Sequence, residues 1–141
     1  MPVRLAGKLI FCVTLALLLV SCGGGDGSGD GGTEGTAEEL GYEPELVSRG
    51  EDLYQQNCAT CHGEDLRGTE TGPPFLDVIY APNHHPDEAF QAAAAQGVQP
   101  HHWDFGPMPP VPAVDSEDVA AIVAFVRTQQ FEAGITRDPS H

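Results

Sequence analysis

Hydrophobic residues follow several distinct patterns along this chain. Leu9 to Val20, LIFCVTLALLLV, is a continuous apolar run behind Arg4 and Lys8. Residues 23–36, GGGDGSGDGGTEGT, contain no side chain that would join a core. In EPELVSRGEDLYQQN, residues 43–57, Leu46, Gly50, Leu53 and Tyr54 recur on one face at helical spacing. Pro44 and the acidic residues around it suit a first helical turn. Residues 86–98, PDEAFQAAAAQGV, are alanine-rich and predict a second helix, with Gly97 as its stop. Further on, Val119, Ile122, Val123 and Val126 form an apolar stripe with Phe125 beside it. Asp115 or Ser116 would cap this third helix, with Glu117 and Asp118 in its first turn. The segment GEDLRGTETGPPFL between the first two helices is turn-rich.

The first apolar run is shorter than the about 20 residues a bilayer span requires. It reads instead as the apolar centre of a secretory signal. It ends in Leu19-Val20-Ser21-Cys22, which resembles the bacterial lipobox, where the peptide is cut before a cysteine that then carries lipid. The expected organisation is a lipoprotein-type signal over 1–21, with Cys22 as the lipidated N-terminus. A flexible Gly-rich linker over 22–41, a folded head over 42–134 and a tail over 135–141 would follow. An ordinary cleaved signal, or an uncleaved anchor with Cys22 incidental, are the alternatives. Acyl chains would tether the protein by burying methylenes in the membrane. As a coil, residues 23–36 would span roughly 20 Å on average, a suitable leash.

Charge narrows the choice of partner. Without residues 1–21, Arg49, Arg67, Arg127 and Arg137 face 21 acidic residues, a net charge of −17 with no lysine. Nucleic acid is excluded as a partner, because no basic patch exists to neutralise phosphates. A protein partner would present a basic surface, and association would weaken with salt. Acidity serving solubility alone is the simpler alternative.

The chemistry concentrates in Asn57-Cys58-Ala59-Thr60-Cys61-His62-Gly63. Cys12 belongs to the signal and Cys22 to the lipid site, which leaves Cys58 and Cys61 for the head. A disulfide between them would close a very small loop and leave His62 without a role. A thioredoxin-like redox pair needs a strand before the motif and a helix after it, and here a helical pattern precedes and a polar loop follows. A zinc site needs a fourth ligand and usually a second close pair; only the other histidines offer one. The remaining reading is C-x-x-C-H, the attachment signature of c-type haem. Cysteines three apart on a helical turn point the same way, so both sulfurs reach one edge of the haem. The next residue, His62, would supply an imidazole to the iron.

With these residues in view, positions 42–131 resemble the monohaem class I cytochromes c. Gly50 lies eight residues before Cys58 and Tyr54 four before it, as in that family. The resemblance implies a proline carbonyl, eleven or twelve residues past His62, that accepts the ring's Nδ1 proton; Pro73 and Pro74 both qualify. It places a short helix at 86–98 and a C-terminal helix crossing the first one, with Ile122 and Phe125 packed over Gly50 and Tyr54. The implied fold is a small all-α bundle, about three main helices around one covalently bound haem c. The haem would complete the limited core of a head this small.

Met108, in Gly-Pro-Met-Pro-Pro, is the only methionine besides Met1, hence the only candidate thioether ligand for the sixth iron position. Family members often present theirs just before a proline, and proline flanks stiffen the loop. A thioether raises the reduction potential relative to a second imidazole. Trp103 is expected to shield the haem edge, and Arg67 is a candidate partner for a haem propionate. His84, His85, His101 and His102 are expected to be solvated or to bond a propionate; a surface metal such as copper is the alternative. The function implied is single-electron transfer outside the cytoplasm between redox partners, by a membrane-anchored electron carrier rather than an enzyme. The alternatives are small-ligand or peroxidase-like chemistry at a labile sixth site, and a fixed electron-entry subunit of an oxidase or reductase.

Overall fold

A computed structural model of the protein describes residues 31–135. The expected signal, the lipidated Cys22, the first part of the linker and nearly all of the C-terminal tail lie outside the described residues.

Five helices make up the described chain: α1 (Gly31–Leu40), α2 (Pro44–Asn57), α3 (Ala59–His62), α4 (Asp87–Gln96) and α5 (Ser116–Glu132). A single 3-10 turn, Val78–Tyr80, precedes α4. There is no strand among the described residues, only a one-residue bridge between Val98 and Met108. The expected all-α architecture is present, with α2, α4 and α5 as its main helices.

α5 is the centre. Asp115 caps it, accepting from the backbone N–H groups of Glu117 and Asp118, while Asp118 accepts from the Asp115 N–H in return. This reciprocal box satisfies donors that a bare helix start would leave open. Every residue from Ala121 to Thr128 is buried, so the helix is covered on all sides rather than along one stripe. α2 crosses it where Gly50 meets the Ala121 backbone. Tyr54 and Phe125 meet beyond the crossing, with ring centroids 5.5 Å apart. Arg49 of α2 pairs with Asp118 of α5 beside the crossing.

The linker boundary at 41 requires correction. Residues 31–40 form α1, which packs on both α5 and α2, and Ala37 is fully buried in the core. Ala37-Glu38-Glu39-Leu40 are good helix formers, and a methyl side chain is small enough to seat against a larger helix. Gly41, at φ 79°, ends the helix, with Gly41 N–H donating to the Glu38 carbonyl and Tyr42 N–H to that of Ala37. This left-handed glycine closure satisfies carbonyls at the helix end. No helix among the described residues is long and apolar enough to cross a membrane.

Candidate haem site

α2 ends as it delivers Cys58: the Cys58 N–H donates to the Tyr54 carbonyl at 2.8 Å. α3 is one turn, closed by Cys61 and His62 N–H groups donating to the Cys58 carbonyl at 3.1 and 3.0 Å. Gly63, at φ 83°, stops it, and the fully buried Tyr54 hydroxyl donates to the Gly63 carbonyl at 2.6 Å. The loop that follows wraps the turn. Gly68 N–H donates to the His62 carbonyl at 2.7 Å, and Thr69 Oγ1 donates to the Cys61 carbonyl at 2.7 Å. Cys58 and Cys61 are free cysteines, not a disulfide.

His62 is buried, and its Nδ1 donates to the Pro73 carbonyl at 2.9 Å. Of the two prolines the sequence offers, Pro73 makes the bond. Burial lowers the imidazole's proton affinity, and the Pro73 carbonyl offsets this only in part. A neutral ring with its Nδ1 proton committed keeps its lone pair on Nε2, the state a metal ligand needs. Phe75 stacks on the ring, with centroids 4.2 Å apart and planes 16° apart.

Next to this turn is a cavity of about 520 Å³. Cys58, Cys61, His62 and Pro73 line one part of it. Apolar groups supply much of the rest, among them Phe75, Tyr80, Phe90, Val98, Phe105 and Ile122. Trp103 lines it too and stacks on Tyr80, with centroids 5.7 Å apart. Met108 lines the same cavity. Its backbone is bound twice to Val98, at 3.0 and 2.9 Å, and its carbonyl sits against Gly97, where a Cβ would overlap it. Gly97 also has φ 76°, so glycine is required there on two counts. Val111 N–H donates to the Ala94 carbonyl at 2.8 Å, which fastens the far end of the methionine loop to α4.

The residues fit a c-type haem. Two thiols at attachment spacing, a neutral buried imidazole and a thioether share one largely apolar cavity of a size typical for a whole organic ligand, about 300–1,000 Å³. A zinc site at the motif is not favoured: the ligating atoms that converge among the described residues belong to His84, His85 and His102, not to the cysteines. Residues 47–130 match the family model for cytochrome c. The chain belongs to the cytochrome c family.

Membership implies one covalently bound haem c, a group that supplies an iron able to take up and release one electron. The chain is similar to cytochrome c-551 of Bacillus subtilis (strain 168), 37% identical over 70 residues, covering 50% of this chain and 57% of that protein. It is also similar to the cbb3-type cytochrome c oxidase subunit FixP of Rhizobium meliloti (strain 1021), 35% identical over 89 residues, covering 61% of this chain and 28% of that subunit. The match to subunit CcoP of Rubrivivax gelatinosus, 44% identical over 41 residues, covers 29% of this chain and 14% of that subunit. The chain thus spans little more than half of the first of these relatives and far less of the oxidase subunits. No solved structure gives a significant match.

Two arginines stand in contrasting environments. Arg67, a candidate propionate partner by sequence, is exposed, lies 3.6 Å from Asp65 and is not among the cavity-lining residues. Arg127, which no sequence motif singles out, is buried in α5. Its guanidinium donates to Asp87 Oδ1, the Tyr80 carbonyl, the His85 carbonyl and Gln130 Oε1, all at 2.6–2.8 Å. It also lies 5.0 Å from the centre of the Phe90 ring. An arginine directly after the apolar run Val119 to Val126 is the available signal, since a buried guanidinium must find several acceptors.

Proposed function

We propose that this protein is a single-electron carrier working outside the cytoplasm. In this reading Cys58 and Cys61 would hold the haem through thioether links, and His62 and Met108 would ligate its iron. The observation that carries the proposal is that Met108 and the Pro73-bonded His62 line the same cavity. The chain's own work is then positional. Pro73 holds the His62 ring in the tautomer that donates from Nε2 and strengthens it as a donor. The Val98 bridge and the flanking Pro107 and Pro109 hold the methionine loop. The apolar lining limits water, which favours the less charged reduced state. His/Met ligation raises the potential further. A lipid on Cys22 would anchor the protein to a membrane on its extracytoplasmic face, and the linker would let the head move between donor and acceptor.

Absorption of the purified holoprotein tests the ligation. A weak sulfur-to-iron charge-transfer band is expected in the ferric form and is absent in Met108→His. A wild-type ferric spectrum that is high-spin or bis-imidazole overturns the assignment, and small-ligand binding then becomes the leading chemistry. The excess of acidic residues supports a redox partner with a basic docking surface; its reduction rate is expected to fall as ionic strength rises. Similarity to FixP and CcoP supports a second reading, a fixed electron-entry subunit of an oxidase. Co-purification with a large membrane complex in stoichiometric amount would favour that reading over a free shuttle.

A further inference from the structure

Four histidines from two separate segments meet at the rim of the haem cavity. His84 and His85 lie on the turn before α4, where both backbone N–H groups donate to the Ala81 carbonyl at 2.9 Å. His101 and His102 lie on the loop between α4 and Met108. His84 Nε2 and His102 Nε2 are 3.2 Å apart. Ligating nitrogens of His84, His85 and His102 all lie within 4.8 Å of one another.

The spacing is that of a metal site. Two imidazole nitrogens bound tetrahedrally to zinc at 2.0–2.1 Å lie about 3.3 Å apart, close to the His84–His102 separation. With no separation above 4.8 Å, each nitrogen lies within about 2.8 Å of a common centre, so closure requires movement of less than about 1 Å. His85 Nδ1 donates to the Ile79 carbonyl at 2.6 Å, which leaves Nε2 as its free ligand atom. A carbonyl partner on the far nitrogen is the usual support of a metal-bound histidine. The Arg127 guanidinium in turn holds the His85 carbonyl at 2.6 Å, so the turn is braced from the core.

We propose that His84, His85 and His102 bind one borderline divalent transition-metal ion, Zn²⁺ or Cu²⁺, with water completing the shell. Imidazole suits both ions, and copper(II) binds more tightly in the usual affinity order. The ion would clasp the turn before α4 to the loop that leads into Met108, and so brace the methionine loop from outside the haem.

The test uses the full chain with haem attached, without a histidine tag and after removal of metals by chelator. Titration with zinc sulfate in a calorimeter is expected to show one equivalent bound, and the melting temperature is expected to rise with zinc concentration. Titration with copper sulfate is expected to give an electron paramagnetic resonance spectrum with nitrogen coupling. His84→Gln, His85→Gln and His102→Gln are each expected to weaken binding at least tenfold. His84 is exposed and does not line the haem cavity, so His84→Gln keeps the haem spectrum and guards against loss through misfolding. Absence of a saturable single equivalent with both ions overturns the proposal. So does equal affinity in His84→Gln with its haem spectrum intact. The metal titration reads the site independently of whether Met108 ligates iron.

Discussion

Gly50 of α2 lies directly against the Ala121 carbonyl of α5, so close that a Cβ at residue 50 would overlap it. The clash is with backbone, which no rotamer change can relieve. Gly50→Ala must push the helices apart, and Gly50→Val more so. Forced separation of a packed interface costs about 1–3 kcal/mol, sometimes more. Chemical denaturation of the holoprotein is expected to show a loss in that range for alanine and a larger one for valine. An unchanged midpoint for Gly50→Ala would mean that the crossing is looser than this geometry.

Tyr54 joins the same crossing to the haem motif through its hydroxyl. Tyr54→Phe leaves the Gly63 carbonyl, on a buried residue, without that donor. A buried acceptor left unsatisfied costs about 1–3 kcal/mol. The variant is expected to melt at a lower temperature while keeping a normal reduced haem spectrum, since the ring and its packing on Phe125 remain.

Arg127→Met keeps an unbranched apolar stem but is shorter and removes all five donors. The His85 carbonyl and Gln130 Oε1 both lose this partner. The ion pair itself adds less, since the Asp87 side chain is half exposed. A loss of about 3 kcal/mol is expected from the two orphaned acceptors together. The more specific effect is on the histidine turn, where zinc affinity should fall although no ligand has been changed. Unchanged stability and zinc affinity would show that the turn holds itself.

Alkaline pH supplies a prediction from burial. Tyr80 is raised to about 12, by desolvation first and by Asp77 second, and Tyr54 is raised further still by its burial. In the unfolded chain both ionise near 10. Between about 10 and 12 the unfolded state therefore binds fewer protons than the folded state, and stability falls as pH rises. Ultraviolet titration of the holoprotein is expected to show tyrosinate from these two residues only together with loss of helical signal. Tyrosinate appearing at pH 10 for all three tyrosines, with the fold intact, would contradict the burial.

Removing the haem attachment should unmake the core. Cys58→Ala with Cys61→Ala leaves a cavity of about 520 Å³ that the side chains around it do not fill. The double variant is expected to lose much of its far-ultraviolet helical signal and to become sensitive to protease. A cooperative melt like that of the holoprotein would show that α2 and α5 are sufficient alone.

The amino-acid sequence by itself determines the features whose causes are local. Helical periodicity marks α2 and α5, alanine content marks α4, and Gly97 marks its end, each through interactions within a few residues. The C-x-x-C-H spacing is local too: one turn of helix sets two thiols and a histidine side by side. The position of Gly50 relative to Cys58 carries a long-range message only because glycine has so few other uses inside a helix. What the tertiary structure alone decides depends on residues far apart in the chain. Pro73 rather than Pro74 reaches His62, because the turn-rich loop sets which carbonyl faces the ring. Residues 31–40 look like linker beside a glycine-rich run, yet they become a helix because α5 offers a surface on which Ala37 can be buried. Arg67 looks available and lines no cavity, while Arg127 looks like one more surface charge and binds α5 to the turn before α4. The two histidine pairs are 17 residues apart from His84 to His101 in the chain. Their convergence follows from how α4 returns the chain over the haem cavity, and no local pattern encodes it.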